Sequence, residues 1–339
     1  MTSTELRILE LYSGIGGMHY AAKMANVDAD VVFSVDINTA ANEVYRHNFP
    51  KTNQQARNIQ SLSAREINNL APNTIMMSPP CQPFTRVGLK LDVQDPRCSS
   101  FLHLLHILPD LASVKYILME NVVGFETSAM RNAFVEALHQ CHFQYREFIL
   151  SPECLDVPNS RNRYYLIAKR NEDFSFGIQD ELNASFPSAS LMKSQRGKVL
   201  QPYLESLDHE DELMKYLISD KTLSKYWRIL DIRQKSSESS CCFTKAYSHY
   251  AEGTGSVFQH ADNPSMDECF EKFRLNDEDV RHLHPLKLRY FTPREVSNLM
   301  GFPQEFKFPS TTGLKTRYRL LGNSLNVLVV ANLVNLLTT

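Results

Sequence analysis

One cysteine of the chain lies in a proline-rich turn, Ser78-Pro79-Pro80-Cys81-Gln82-Pro83-Phe84. The turn follows a short apolar run, residues 74–77, that is typical of a buried strand. Proline fixes φ and removes a backbone donor, so this turn is stiff. A thiol held there is placed as a nucleophile, whereas a cysteine in an apolar setting is usually a packing residue. The nucleophile interpretation of Cys81 therefore depends on the polar residues that accompany it.

A glycine-rich segment, Ser13-Gly14-Ile15-Gly16-Gly17, follows the first strand-like run. Glycines let a ligand approach the backbone, and the N-terminus of the helix predicted next offers free N–H groups. His19 occupies the third glycine position of G-x-G-x-x-G, which disfavours a dinucleotide pyrophosphate and leaves a nucleoside as the better ligand. Asp36 ends the second strand-like run, where a carboxylate typically binds ribose hydroxyls.

Three further charged residues stand at strand ends. Glu120 directly follows the apolar run 116–119, and Arg161 and Arg163 precede the run 164–168. Two arginines at this spacing share one face of an extended chain and can hold an anion or a polarised carbonyl. The alternative is that these residues are surface charges that pair with other surface charges. The sulfur, the glycines and both carboxylates all stand at the carboxyl ends of predicted strands, where open α/β sheets bind ligands.

Strand-like and helix-like runs alternate through the first half of the chain, which predicts an α/β fold with an open, doubly wound sheet. The predicted strands are residues 6–11, 31–35, 75–77, 116–119, 143–150 and 164–168, the last two as an antiparallel edge. Helical faces are predicted around residues 18–25, 101–108 and 130–138, from Thr292-Pro293 onward, and over 323–337. Because the periodicity stops near residue 170, the predicted domains are 1–170 plus 287–339, and a smaller one over 171–286.

Composition predicts an ordinary globular protein, with 43% hydrophobic and 22% charged residues in a chain of 339. No apolar run approaches a membrane span, and the first residues lack a signal-peptide pattern, so no membrane partner is expected. Seven cysteines without a CxxC pair predict a reducing compartment and no metal site. We expect a cytoplasmic protein, with the nucleus as the alternative. Residues 281–319 carry a net charge of +6, which fits nucleic-acid contact or a solvated surface equally well.

These motifs occur in the order found in cytosine-C5 methyltransferases, and the sequence resembles that family over nearly its whole length outside the irregular region. The matching segments are Gly14-Ile15-Gly16-Gly17, Pro79-Pro80-Cys81-Gln82, Glu120-Asn121-Val122, Arg161-Asn162-Arg163, residues 289–295, Gly301-Phe302-Pro303 and Gly322-Asn323-Ser324. Cys242-Phe243-Thr244 and the compact recognition segment are similar to the eukaryotic subgroup first called type-two DNA methyltransferases. Members of that subgroup methylate tRNA-aspartate.

The resemblance implies an S-adenosylmethionine-dependent methyltransferase fold with a target-recognition domain, and S-adenosylhomocysteine as a product. It implies that Cys81 adds to C6 of cytosine, which makes C5 nucleophilic. Glu120 then contacts N3 and the exocyclic amine, while Arg161 and Arg163 lie near the thiolate and the base carbonyl. The implied cofactor residues are Ser13, Gly14, Ile15, Gly16, Gly17, Asp36, Ile37, Asn58, Ile59, Ser78, Asn323 and Ser324. Many DNA-acting relatives have Asp where this chain has Asn58.

The catalytic motifs do not distinguish RNA from DNA, because the reaction at the base is the same. An anticodon-loop cytosine is already unpaired, whereas a duplex cytosine must be flipped out. The preference for tRNA, with DNA as the alternative, depends mainly on the subgroup resemblance, and a monomeric enzyme is expected. The candidate substrate contacts are Cys242, from the subgroup pattern, and Lys315, Arg317 and Arg319, from the basic stretch. A catalytically silent nucleic-acid-binding protein is disfavoured by the intact motifs, and a nicotinamide oxidoreductase by His19.

Overall fold

The computed structural model of the chain describes residues 5–80, 99–179, 181–187, 191–207 and 209–339. Within these residues, eight strands form one large sheet in the order β3-β2-β1-β4-β5-β7-β6-β8. The strands are β1 (Leu6–Leu11), β2 (Ala29–Asp36), β3 (Gln54–Ala56), β4 (Thr74–Met77), β5 (Tyr116–Val122), β6 (Phe143–Leu150), β7 (Arg163–Arg170) and β8 (Leu182–Asn183).

The order of the sheet reverses at β1, which lies between β2 and β4 and is parallel to both. A crevice opens at the carboxyl ends of the strands where an open α/β sheet changes direction. The glycine segment follows β1 at this point, and Ser78 follows β4. The sheet therefore brings together residues that are more than 60 positions apart in the sequence.

The predicted antiparallel edge is confirmed, since β7 runs antiparallel to both β5 and β6. Because of this direction, the beginning of β7 lies beside the end of β5, with Val122 paired to Arg163. The two arginines thus reach the same edge of the sheet as Glu120. Glu120 itself lies inside β5 and pairs with Tyr165, whereas the sequence suggested that the strand ends before it.

Helices cover both faces of the sheet, which confirms the predicted α/β class. They are α1 (Gly17–Met24), α2 (Thr39–Asn48), α3 (Ala64–Leu70), α4 (Ser99–Ile107) and α5 (Ala129–Gln140). One apolar core, here called the main core, packs α1, α2 and the helix over residues 327–337 against the sheet, and a second core lies between the sheet and α3, α4 and α5. Sequence reasoning did not predict α2, β3 or α3. In α2 only Ala41, Asn42, Val44 and Tyr45 are buried, so its apolar stripe is short.

The later part of the chain adds α6 (Glu210–Met214), α7 (Asp220–Tyr226), β9 (Ile232–Arg233), β10 (Val257–Gln259), α8 (Met266–Leu275), β11 (Leu288–Tyr290), α9 (Pro293–Leu299), α10 (Leu314–Gly322) and α11 (Val327–Leu337). A third, smaller core joins residues between Ile218 and Leu288. Phe243, Tyr247 and Phe258 pack instead into the main core with α11. The division at residues 170 and 286 stays a prediction.

The predicted final helix over 323–337 is wrong at its start. Helix α11 begins at Val327, because Asn326 caps it by accepting the N–H of Val329 at 3.1 Å. The four residues before Val327 form a turn after α10, and this turn carries Asn323 and Ser324. The helix start predicted at Thr292-Pro293 is confirmed by a complete capping box between Thr292 and Glu295.

One stretch contradicts the expectation that no apolar run is long enough to cross a membrane. Residues 314–337, which include α10 and α11, are long and apolar enough to cross a membrane, judged by length and composition alone. The most apolar window of this stretch is 78% buried inside the protein. Core helices commonly have this character.

Candidate functional site

Two neighbouring cavities lie at the carboxyl ends of the central strands, and Pro80 lines both. The first, the Asp36 cavity, measures about 260 Å³, and the second, the Glu120 cavity, about 280 Å³. The Asp36 cavity is lined by residues that include Tyr12, Asp36, Ile37, Asn58 and Ile59. The Glu120 cavity is lined by Ser78, Pro79, Pro80, Glu120, Asn121, Val122, Arg161, Arg163, Lys245, Gly322, Asn323 and Ser324.

The turn between β1 and α1 requires glycine. Gly14 and Gly16 have φ of +52° and +85°, a region that residues with a side chain rarely adopt. A Cβ at Gly16 would also lie 2.5 Å from a ring carbon of Phe49. The buried hydroxyl of Ser13 has no hydrogen-bond partner in the part of the chain that the structure describes. A polar ligand at this turn would satisfy it.

Asp36 is fixed at the end of β2 by two backbone donors. Its Oδ2 accepts the N–H of Gly14 at 2.8 Å, and its Oδ1 accepts the N–H of Asn38 at 2.7 Å. Burial raises the pKa of Asp36 against the effect of these hydrogen bonds. The carboxylate therefore links β2 to the glycine turn and keeps lone pairs for a ligand in the cavity.

The remaining wall of the Asp36 cavity is apolar on one side and polar on the other. Ile37 is 71% exposed although it is a large aliphatic residue, and Ile59 is buried. The amide of Asn58 is occupied by its own turn, since it accepts the N–H of Gln60 and donates to the Gln60 side chain, both at 3.0 Å. Ile37 and Ile59 both line the cavity and give it apolar surface on which a planar base can pack.

This arrangement fits the nucleoside part of S-adenosylmethionine. The Asp36 carboxylate can accept hydrogen bonds from ribose hydroxyls, and Ile37 and Ile59 can contact the adenine. The glycine turn and the unpartnered Ser13 hydroxyl can receive the amino-acid part. Ile15 is buried behind the turn and supports it from the main core. A Cβ at Gly17 would lie 3.1 Å from side-chain atoms of Ser324 and Leu325, so the turn before α11 lies close to the glycine turn.

The carboxyl group of Glu120 faces two guanidinium groups in the second cavity. Its Oε1 lies 3.4 Å from Nε of Arg163. Burial raises the pKa of Glu120, and the charges of Arg163 and Arg161 oppose that rise without cancelling it. The carboxyl group therefore retains a proton at higher pH than an exposed glutamate does, and it can donate that proton to an acceptor in the cavity.

Arg161 connects three segments of the chain. It is 3% exposed, and it donates from Nη1 to the carbonyl of Phe243 at 3.1 Å. Its Nη2 donates to the carbonyl of Gly322 at 3.1 Å and also to that of Ser324. Within the described residues its buried Nε has no hydrogen-bond partner. Arg161 is thus primarily a clamp, with one donor left for a ligand.

The thiol of Cys242 contacts both arginines. Nη1 of Arg161 donates to its sulfur at 3.2 Å, and Nη2 of Arg163 lies 3.9 Å from it. Burial opposes ionisation, but the charges of Arg161 and Arg163 outweigh burial and lower the pKa of Cys242. A partly buried thiol in a positive environment is a reactive thiol. The structure therefore places the Cys242 thiol against the guanidinium groups of Arg161 and Arg163.

The remaining predicted site residues, Cys81, Lys315, Arg317 and Arg319, differ in how they lie relative to the two cavities. Cys81 lies outside the described residues, although Pro80 before it lines both cavities. Lys315 and Arg319 are exposed on one face of α10, whose C-terminal end lines the Glu120 cavity. Arg317 points elsewhere, because it donates to the carbonyl of Thr312 at 2.8 Å.

Two features of the site were missed or misjudged from sequence. Lys245 lines the Glu120 cavity and is exposed, and nothing in its local sequence distinguishes it from other lysines. Arg289 belongs to the basic segment 281–319, but it is fully buried and pairs with Glu295 at 2.7 Å. The net charge of that segment therefore overstates its exposed positive surface.

The Asp36→Asn variant is expected to bind S-adenosylhomocysteine about tenfold more weakly, because an amide is a poorer acceptor than a carboxylate for a hydroxyl and for the N–H of Gly14. Calorimetric titration of the product checks this. Asp30→Asn changes an exposed residue of the same strand and serves as the control. Equal affinities of the two variants would contradict the assignment of Asp36.

Glu10 of β1 is hydrogen-bonded to the first turn of α1 and to Tyr45 of α2. Its Oε1 accepts the N–H of His19 at 3.3 Å, and its Oε2 accepts the Tyr45 hydroxyl at 2.7 Å. The side chain is fully buried, and burial raises its pKa from 4.5 to about 8 in spite of these hydrogen bonds. Glu10 is therefore neutral at neutral pH in the folded protein.

The wild-type protein is expected to lose stability relative to Glu10→Gln as the pH rises. Between the unfolded pKa of 4.5 and the folded pKa of about 8, the folded state binds the extra proton, so stability falls across this range and levels above it. Between about pH 6 and about pH 9 the difference between the two proteins should change by about 3 kcal/mol. Urea denaturation at both pH values measures it. Parallel stability profiles would show that Glu10 is not held neutral.

The chain matches a family model described as C-5 cytosine-specific DNA methylase over residues 6–338. It is 48% identical over 336 residues to the tRNA (cytosine(38)-C(5))-methyltransferase of Spodoptera frugiperda, covering 98% of both chains. It is 43% identical to the mouse protein of the same name, covering 98% of this chain and 93% of that protein. The crystal structure of a Spodoptera frugiperda DNMT2 mutant superposes with a TM-score of 0.88 at 46% identity, covering 99% of this chain and 100% of that one.

Proposed function

Because the chain belongs to the C-5 cytosine-specific DNA methylase family, we propose that it methylates C5 of a cytosine in tRNA. S-adenosylmethionine is the methyl donor of this family, and S-adenosylhomocysteine is its product. The names of the Spodoptera frugiperda and mouse relatives state that these proteins methylate cytosine 38 of tRNA. We extend the proposal to an unpaired cytosine of an anticodon loop, that of tRNA-Asp by resemblance.

The observation that carries the proposal is the contact between the two cavities at Pro80. One cavity offers a carboxylate and apolar walls to a nucleoside. The other offers a carboxyl group whose pKa is raised by burial and two guanidinium groups, which suit the polar edge of a pyrimidine. A methyl donor in the first cavity would thus be adjacent to a base in the second.

The chemistry assigned to the chain follows from these groups. The thiolate of Cys81 adds to C6 of the cytosine, and the electron pair of the C5–C6 bond becomes available at C5. The carboxyl group of Glu120 donates its proton to N3, which accepts charge as the sulfur adds. S-adenosylmethionine, when bound, supplies an electrophilic methyl group to C5. A base then removes the C5 proton, and the electron pair of the C5–H bond restores the C5–C6 double bond and expels the Cys81 thiolate. N3 returns its proton to the Glu120 carboxylate, which regenerates the enzyme.

An exposed basic row leads to the site and supports a nucleic-acid substrate. Lys315 and Arg319 are one helical turn apart on α10, and Asn323 follows at the cavity one turn later. Lys245 adds a cation at the cavity itself. Cations spaced in this way suit the phosphates of a strand whose base enters the cavity.

The test is transfer of a radiolabelled methyl group to a tRNA pool and to duplex DNA, with Cys81→Ala as the inactive control. The proposal predicts incorporation into tRNA, none with the variant, and little into DNA. Comparable turnover of both substrates would favour the DNA methyltransferase alternative. Equal incorporation by Cys81→Ala would eliminate the covalent mechanism.

The Cys242→Ala variant is expected to retain about a tenth of the activity, and so to be less damaging than Cys81→Ala. Cys242 touches both arginines but is not the proposed nucleophile, so its loss removes the sulfur contact of each arginine and some packing. Single-turnover rates on tRNA compare the two variants. The reverse ranking would make Cys242 the primary thiol.

A further inference from the structure

The segment from Thr244 to Thr254, here called the 244–254 loop, is a closed loop beside the Glu120 cavity. The N–H of Thr244 donates to the carbonyl of Thr254 at 2.9 Å and closes its two ends. The Thr254 hydroxyl donates to the carbonyl of Tyr250 at 2.6 Å. Two N–H groups, of His249 and Tyr250, donate to the carbonyl of Ala246 at 2.9 and 3.1 Å. The loop therefore has a defined internal structure.

Tyr247 anchors this loop in the main core. Its ring is 3% exposed and packs edge-on against Phe243 and Tyr318. Its hydroxyl donates to the carbonyl of Ser256 at 2.6 Å and accepts the N–H of Phe291 at 2.8 Å. These contacts of Tyr247 fix the position of the residues on either side of it.

The outer side of the loop carries aromatic and positive groups. Tyr250 is 64% exposed, and the ring of His249 lies against it with centroids 4.8 Å apart at 71°. Among the exposed large apolar residues that the structure describes, Tyr250 is the aromatic one. Lys245, at the beginning of the loop, is exposed and lines the Glu120 cavity. Glu252 is the carboxylate of the loop and is also exposed.

We propose that the 244–254 loop is a stacking platform for an unpaired nucleobase next to the target cytosine, with Lys245 holding the connecting phosphate. This inference rests on the proposed function. A hydrogen-bonded loop that presents an aromatic face, and whose lysine lines a base-sized cavity, has the chemistry that binds single-stranded nucleic acid. Lys245 lines that cavity, so its ammonium group is placed to contact a phosphate next to a base bound there. The ligand class is therefore an unpaired RNA loop, as in an anticodon.

Substitution of Tyr250 separates stacking from simple apolar contact. Tyr250→Phe keeps the aromatic face and should change KM for tRNA less than twofold. Tyr250→Leu keeps apolar area without that face and should raise KM about tenfold, with S-adenosylhomocysteine affinity and Tm unchanged. Leu275→Ala removes another exposed apolar side chain, 77% exposed, and should change nothing.

A direct readout uses tRNA with 2-aminopurine at positions flanking the target cytosine. Wild type and Tyr250→Phe should quench one of these fluorophores, and Tyr250→Leu should not. If wild type methylates tRNA but Tyr250→Leu matches it in KM and in quenching, the stacking platform is wrong and the proposed function stands. If wild type methylates no tRNA, the proposed function fails first.

Discussion

Glu120→Gln is expected to lower the rate of methyl transfer by about 100- to 1000-fold while S-adenosylhomocysteine binding stays within twofold. Glutamine has almost the same shape, so the cavity should persist. It cannot release a proton to N3 of the base, and it leaves Arg163 without its carboxylate neighbour at 3.4 Å. General acid catalysis typically contributes about 100- to 10,000-fold, which sets the expected range. Single-turnover methylation of tRNA measures the loss.

The pH dependence of the same step gives a second readout. The mechanism requires protonated Glu120, and burial raises its pKa against the two arginines. Wild-type activity should therefore fall as the pH rises through this raised pKa, on top of any gain from thiolate formation. Glu120→Gln should lack that decline. Glu43→Gln, at an exposed position of α2, is the control, and a loss below fivefold for Glu120→Gln would remove Glu120 from the chemistry.

The sequence was sufficient to predict the ligand-binding edge of the sheet, because strand periodicity is local. Each apolar run marks a strand, and a polar residue at its end then marks the edge, as Asp36 does at the end of β2; Glu120 lies two residues before the end of β5. The antiparallel pair was predictable as well, since the twelve residues that link β6 to β7 are at the lower limit for a crossover. The missed α2 and β3 have few buried residues, so their periodicity is weak.

What the sequence could not predict depends on contacts between distant segments. Lys245 belongs to the cavity only because its backbone packs on Gly322, which is 77 positions away. The position of Cys242 depends on Arg161, 81 positions away. The buried state of Arg289 depends on its pairing with Glu295 inside the core. No local pattern encodes such contacts, which form only when the irregular segment folds onto the sheet.

Gly322→Ala is expected to reduce kcat/KM for tRNA about 100-fold and to lower the free energy of unfolding by about 2 kcal/mol. Gly322 ends α10, and a Cβ there would overlap the backbone of Thr244 and Lys245. Backbone cannot rotate away as a side chain can, so one of the two segments must shift. Both segments supply partners of Arg161, through the carbonyls of Phe243 and Gly322. One methyl group should therefore misplace Arg161, Cys242 and Lys245 together.

The control for this variant is Gly313→Ala at the other end of α10. A Cβ at Gly313 would meet no atom within 4 Å, and the position is the N-cap, where alanine costs about 1 kcal/mol or less. Steady-state kinetics on tRNA and urea denaturation compare the two. If Gly322→Ala keeps wild-type kcat/KM, the position of the Thr244–Lys245 backbone does not matter for catalysis. If Gly322→Ala loses activity with unchanged stability, the displacement is confined to the site. That result would show that catalysis depends on the position of Arg161, which binds both segments.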